Sequence, residues 1–329
     1  MKKILINILK IIITFAILYF MIQSGRLDFT RLDFFLRTPG LFLLLFIVFI
    51  FWSLPLISLR WWLLLRTVQI NFSYSKAFKL TWIGYFFSLG LPGSISGDVV
   101  KGYYVFKDDK SNSKTNILMA LLIDRFIGMS SLIFISFIIL VFNLGFFSQQ
   151  PETKTFAWII SGLFFGTALL YLLVFMKFNN GKDPFLKIIS KLPASEFFIK
   201  LYYALKIYRD EKQILFRALF LSLLDQAGNL FVFYQITSLF GIADISLANL
   251  FMVIPLGLIT TVIPLAPVGI GVGHAAFDSL YSMIGYSNGA DVFNLFVTLE
   301  IIVFAVGGIL FLLEGERSKA KIKIENSDI

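Results

Sequence analysis

Residues 91–98 read LPGSISGD and close an uncharged run of 18 residues, Leu80 to Gly97. A loop of this composition is ordinary on a soluble surface. Here it interrupts apolar sequence before the ~20 residues that a transmembrane helix needs have passed. Either the segment is a kinked span, or the chain enters the membrane and turns back, and the choice sets the topology of all that follows. Composition supplies the membrane. Of 329 residues, 58% are hydrophobic and 39 are Phe, against roughly 45–50% apolar residues in a soluble domain. Mean hydropathy is +0.84. The absence of cysteine excludes disulfides, thiolate metal sites and a thiol nucleophile.

Apolar length places full spans at about 4–22, 41–59, 117–144, 155–177, 214–240 and 292–314. The first is too long, and lacks the small-residue cleavage site, for a removable signal. Two segments remain, roughly 76–97 and 247–277, each broken by Pro and Gly. The net charge of +9 is a statement about sidedness rather than about a nucleic-acid partner, because Lys and Arg accumulate in cytoplasmic loops. Residues 60–79 and 101–114 carry four basic residues each and 177–217 carry nine, whereas 241–246 and 278–291 carry none. The first broken segment therefore begins and ends on the cytoplasmic side and the second begins and ends outside. A kinked span at 76–97 would instead put 101–114 outside and reverse every later loop.

The expected architecture is an all-α polytopic membrane protein with about six full transmembrane helices plus two oppositely directed re-entrant hairpins. It forms one membrane domain, 1–317, built as an inverted repeat of 1–150 and 151–317, with both termini cytoplasmic and a solvated tail at 318–329. The two tips align as Gly93-x-x-x-Gly97-Asp98 and Gly269-x-x-x-Gly273-His274, each after a proline, Pro92 or Pro267. Broken helices at corresponding positions of two inverted halves point to a transporter site near the bilayer midplane. Within 184–208, Phe197, Phe198, Leu201, Leu205 and Tyr208 share a helical face with Lys200 and Lys206 interleaved, the pattern of a helix lying on the cytoplasmic leaflet, either binding lipid or serving as an anchored linker between the halves. Arg60 and Arg66 flank Trp61 and Trp62 and read as an interfacial anchor.

The chemistry-bearing residues lie at the tips and inside the spans. Backbone N–H groups opening a half-helix, with its dipole, bind anions. In the first tip Gly93 and Gly97 admit close approach, Ser94 and Ser96 add hydroxyls, and Lys101 adds charge one turn past Asp98. Asp124 and Arg125 sit in apolar sequence, where an ionised residue costs ~3 kcal/mol and usually has a partner and a function. A guanidinium suits bidentate phosphate binding. The alternative is a salt-bridge cluster that locks hairpin to span. Asp225 and Glu300, also at membrane depth, relay protons, receive a cationic headgroup, or bond helices together as neutral acids. His274 is either a group titrating near neutral pH or a helix cap.

These residues resemble the lysylphosphatidylglycerol synthase transmembrane-region family, also called flippase-like membrane proteins. A first family signature, Pro followed by Gly-Gly-Asp-x-x-Arg, is similar to Pro92-Gly-Ser-Ile-Ser96-Gly97-Asp98-Val-Val-Lys101. A second resembles Asp124-Arg125-x-x-Gly128. A third, Pro-Gly-Gly-x-Gly-x-x-Glu, is met by Pro267-Val268-Gly269-Ile270-Gly271-Val-Gly-His274, departing at Val268 and His274. The resemblance covers nearly the whole chain and implies a flippase for an anionic phospholipid or lipid-linked intermediate, with no cofactor or metal. Members that make aminoacylated lipid add a soluble catalytic domain, which is not expected here. Arg125, Lys101 and the first tip are expected to bind phosphate, with Asp225, Glu300 and the second tip (Pro267, Gly269, Gly271, His274) opposite. The alternatives are an intramembrane hydrolase built on Ser94 or Ser96 with His274, and an accessory subunit of envelope-lipid synthesis. The expected partner is a membrane lipid with an anionic headgroup, besides a second copy of the chain or a lipid-synthesis enzyme.

Overall fold

The computed structural model describes residues 32–90, 96–108, 114–148, 151–176, 190–191, 195–241, 245, 247–261 and 269–325. The expected span at 4–22, residues Gly93, Ser94 and Pro267, and the Ser96 side chain lie outside what it describes. Among the described residues all regular structure is helical. In chain order the helices are α1 (Leu32–Arg37), α2 (Pro39–Thr67), α3 (Tyr74–Gly90), α4 (Ser96–Asp108), α5 (Lys114–Phe142), α6 (Leu144–Phe147) and α7 (Pro151–Phe175). There follow α8 (Ser195–Ile207), α9 (Lys212–Ser238), α10 (Leu247–Thr261), α11 (Val272–Met283) and α12 (Gly289–Glu325). Of these α2, α5, α7, α9 and α12 are long and apolar enough to cross a membrane, and they carry the five remaining expected spans.

Local sequence explains the irregular points. Pro55 has no N–H to continue the hydrogen-bond ladder of α2, and the turn before it, Phe49–Ser53, widens to a π-helix. Trp52, in that wide turn, donates its indole N–H to the carbonyl of Leu224 on α9 at 2.8 Å. Both broken segments form two helices that pack on each other. In α3 and α4 the contact is made by Gly84 and Gly97: Gly84 lies under the Lys101 stem, and Gly97 rests on the Gly84 carbonyl and Ser88 hydroxyl. In α10 and α11 the Phe277 ring covers Gly257. Gly269 and Gly271 hold positive φ angles of 71° and 88° in the turn that leads into α11, a conformation that favours glycine.

The halves interlock. The first helix of each hairpin lies on the last span of the other half, α3 on α12 and α10 on α5. At the first contact Gly307 and Gly308 admit Trp82 and Phe86, the Trp82 indole donates to the Val303 carbonyl at 2.7 Å, and the Tyr85 ring stacks on Phe304 with centroids 4.5 Å apart. At the second, Ile139 and Leu140 pack with Met252.

Two segments differ from the reading of their composition. The apolar face of α8 is seated on protein: Leu201, Leu205 and Tyr208 are buried, in one cluster with Trp61 and Leu64, and the Tyr208 hydroxyl donates to the Leu64 carbonyl at 3.0 Å. A face of apolar residues with interleaved lysines can cover lipid or protein, and on this side of α8 it covers protein. The basic end of the chain continues α12 as helix to Glu325 instead of leaving it as irregular tail.

The α3–α4 contact has a direct consequence. A side chain at Gly97 meets backbone, so Gly97→Val should lower stability by about 1–3 kcal/mol, the usual cost of overpacking. Gly162→Ala on α7, where the Cβ meets open space, should change it by less than about 1 kcal/mol. Thermal midpoints in detergent check both.

Candidate functional site

Two ion clusters occupy the middle of the helix assembly. In the first, Arg60 on α2 donates through Nε to Asp124 Oδ1 of α5 at 2.7 Å and through Nη1 to Ser222 Oγ of α9 at 2.7 Å. All three residues are buried, and Gly128, one turn past Asp124, leaves room for the guanidinium. In the second, Asp98 in the first turn of α4 accepts from Lys101 Nζ at 2.8 Å and from Arg125 Nε. An acid in a first turn also complements the helix dipole. Lys101 is buried, its ammonium 5.0 Å above the Trp61 ring, and its stem lies on Gly84. Arg125 differs: about a third of its side chain is exposed, and it faces a cavity.

That cavity has a volume of about 240 Å³. Its wall is apolar on α2 (Phe49, Leu54, Ile57) and Phe304, and polar at Ser53, Tyr85, Ser88, Arg125, Asp225, Asn229 and Glu300. Five helices contribute: α2 through its π-helical turn, α3, α5, α9 and α12. Asp225, 5% exposed, hydrogen-bonds Ser53, while its Oδ1 has no hydrogen-bond partner.

The structure thus brings Arg125, Asp225 and Glu300 onto one cavity, with Asp98 and Lys101 directly behind Arg125 and Gly97 in the hairpin contact beneath them. Asp124 faces away from it, held by Arg60 rather than by its neighbour Arg125. Adjacent helical residues point about 100° apart, since a turn takes 3.6 residues, so Asp124 and Arg125 serve different clusters. The second tip stays apart. Gly269 packs on Thr261, the Gly271 N–H donates to His274 Nδ1 at 3.3 Å, and the His274 ring meets Phe293 edge-on. His274 is a cap for α11, one of its two expected roles. No group of three or more His, Asp or Glu able to hold a metal occurs among the described residues.

Arg60 is the residue that sequence reasoning missed. Its place beside Trp61 and Trp62 gave it the look of an anchor; Arg66 instead stacks 4.8 Å over the Trp62 ring. The usable signal was Asp124, an acid in a span whose neighbouring arginine could not also turn toward it. Asn229, one turn beyond Asp225, and the hydroxyls Ser53, Tyr85 and Ser88 are further cavity residues visible only once the helices are assembled.

A bundle of apolar spans around a small, mixed-charge cavity defines an integral membrane protein. A family model described as the lysylphosphatidylglycerol synthase TM region matches residues 7–310, and the chain belongs to that family of lipid-related membrane proteins. Neither a curated protein nor a solved structure matches it.

The two clusters should respond differently to mutation. Arg60→Gln strands Asp124 without its cation and should cost about 3–5 kcal/mol, with much of the loss recovered in Arg60→Gln/Asp124→Asn. Arg125→Gln leaves Asp98 its lysine and a wet cavity, and should move the thermal midpoint little. Thermal unfolding in detergent, with a ligand-independent probe such as tryptophan fluorescence, separates the two.

Proposed function

We propose that the protein moves a phosphate-bearing membrane lipid, an anionic phospholipid or lipid-linked intermediate, across the cell membrane, with its headgroup passing through the central cavity. The observation that carries the reading is Arg125: a guanidinium with a third of its side chain exposed into a cavity lined by α2, α3, α5, α9 and α12. Asp98 holds it in place and Lys101 completes the pairing behind it. A phosphate arriving from the cavity meets the exposed part of the Arg125 side chain, whose planar guanidinium fork binds two phosphate oxygens at once. The family supports a lipid partner.

The same reading takes the two hairpins as re-entrant. A helix of 13 residues such as α4, or of 12 such as α11, is roughly 20 Å long at 1.5 Å per residue, short of the ~30 Å hydrocarbon core. Two such hairpins, each leaning on the other half's last span, give an inverted repeat that rocks about the cavity. The basic loops then face the cytoplasm, together with both termini.

Topology and transport are tested separately. Single cysteines at Ser111 and Ser190 should be shielded from an impermeant thiol reagent in intact cells, and one at Ser287 should react. Labelling at Ser111 from outside would make 76–97 a full crossing and remove the inverted repeat. In proteoliposomes containing fluorescent phosphatidylglycerol, the wild-type protein should speed transbilayer exchange, and Arg125→Gln should lose most of that rate while remaining folded. Arg125→Lys should be partly active at best, because an ammonium has no bidentate fork. Exchange that survives Arg125→Gln at full rate refutes the phosphate assignment.

A further inference from the structure

The cavity that Arg125 lines carries more negative charge than a phosphate path calls for. Asp225 on α9 and Glu300 on α12 line it together. Asp225 is buried, and its Oδ1 accepts no hydrogen bond. The groups facing this pair are few. From α2 come Ser53, which hydrogen-bonds Asp225, and Arg60, already engaged by Asp124. From α3 comes the Tyr85 phenol. From α5 comes Arg125, already engaged by Asp98. The segment α10 has no charged residue, and on α11 His274 faces Phe293, about two turns of α12 from Glu300. Among the described residues, with every group ionised, the cations Arg60, Lys101 and Arg125 meet the acids Asp98, Asp124, Asp225 and Glu300, which leaves an excess of one negative charge. Each cation already has a carboxylate, and the unmatched charge falls on Asp225 and Glu300.

Two carboxylates lining one low-dielectric cavity without a cation of their own do not both ionise readily, and the favourable state holds one proton on the pair. An anion entering beside Arg125 sharpens that preference. Without the proton it adds a second unmatched negative charge to the cavity, and with the proton it meets a neutral set. Binding of anion and proton is therefore mutually favourable, and linkage makes that coupling reciprocal.

We propose that Asp225 and Glu300 form a proton site that fills together with the phosphate-bearing headgroup, so that the two cross the membrane as a symport. This inference rests on the transport reading and adds to it the energy source and its direction. No bond is made or broken except O–H. A proton from the acidic side attaches to a carboxylate oxygen of the pair, the unpartnered Asp225 Oδ1 being the open acceptor. It leaves from the same pair to water on the alkaline side once the headgroup has gone.

The test has three arms on the full-length protein. In nanodiscs at neutral pH, infrared spectra should show the C=O stretch of a protonated carboxyl, and Glu300→Gln, which keeps the shape without the ionisable group, should remove it. In weakly buffered solution, at the pH where that band stands at half its full height, a short-chain phosphatidylglycerol added to the wild type should take up protons, whereas Glu300→Gln and Asp225→Asn should take up none. Inorganic phosphate in the same cell distinguishes a site for the bare anion from one for the lipid. In proteoliposomes with the membrane potential clamped at zero, one pH unit should shift the transbilayer ratio of the lipid about tenfold toward the alkaline side, the value for one proton per lipid. Glu300→Gln should leave that ratio near unity. If the lipid flips but its distribution ignores the pH gradient and binding takes up no proton, the coupling is refuted and transport stands. If no lipid binds or moves while the carboxyl band is present, the transport reading falls and takes the coupling with it, leaving only the shared proton. Absence of the band in the wild type refutes the proton site itself.

Discussion

A guanidinium cannot sit unpaired among apolar helices, and Arg60 satisfies that constraint by bonding two helices at once. Its Nε reaches Asp124 on α5 and its Nη1 reaches Ser222 on α9, which ties α2, α5 and α9 together at a single depth. Removing water from such a group costs several kcal/mol, recovered only when the geometry of its partners is good. The bridge therefore specifies how the three spans are placed around their axes. Fixing α5 with Asp124 inward toward α2 turns Arg125 toward the cavity. Fixing α9 with Ser222 on Arg60 places Asp225, one turn on, at the cavity wall. The orientation of the functional side chains follows from the bridge.

Around that bridge the packing depends on absent side chains. Lipid is as apolar as leucine, so helices in a membrane associate by close fit rather than by expulsion of water. Gly84 and Gly97 bring α3 against α4, and Gly307 and Gly308 bring α3 against α12. Aromatic rings then fill what the glycines open, with Tyr85 on Phe304 and Phe233 between Phe277 and Phe296. Because Tyr85 and Phe304 also line the cavity, packing and site share residues, and the α3–α12 seam that joins the halves is also the cavity wall.

The cavity combines a cation held by a carboxylate with two acids that have no cation of their own. A purely structural salt-bridge network would be matched charge for charge, as Arg60 and Asp124 are. The mismatch beside Arg125 is what separates the second cluster from the first and gives the cavity its chemical character.

Much of this was legible in the sequence. Apolar run lengths located the spans α2, α5, α7, α9 and α12, because a bilayer imposes a minimum helix length that composition alone must meet. The Pro-Gly breaks marked the two segments that fold into paired helices, since neither residue continues a helix comfortably. Charged residues in apolar sequence marked Asp98, Lys101, Asp124, Arg125, Asp225 and Glu300, because the cost of burying them is intrinsic to the residue. Their partners were decided only by the fold. A helix sends neighbours in directions about 100° apart, and which direction meets which helix depends on crossings between elements distant in sequence, as with the 162 residues between Arg60 and Ser222. For that reason Arg60 read as an anchor and is a central bridge, and His274 kept two readings until Gly271 and Phe293 were seen beside it. Sequence determines which residues must find a partner, and tertiary structure decides the partner, since pairing energy depends on distance and sequence carries none.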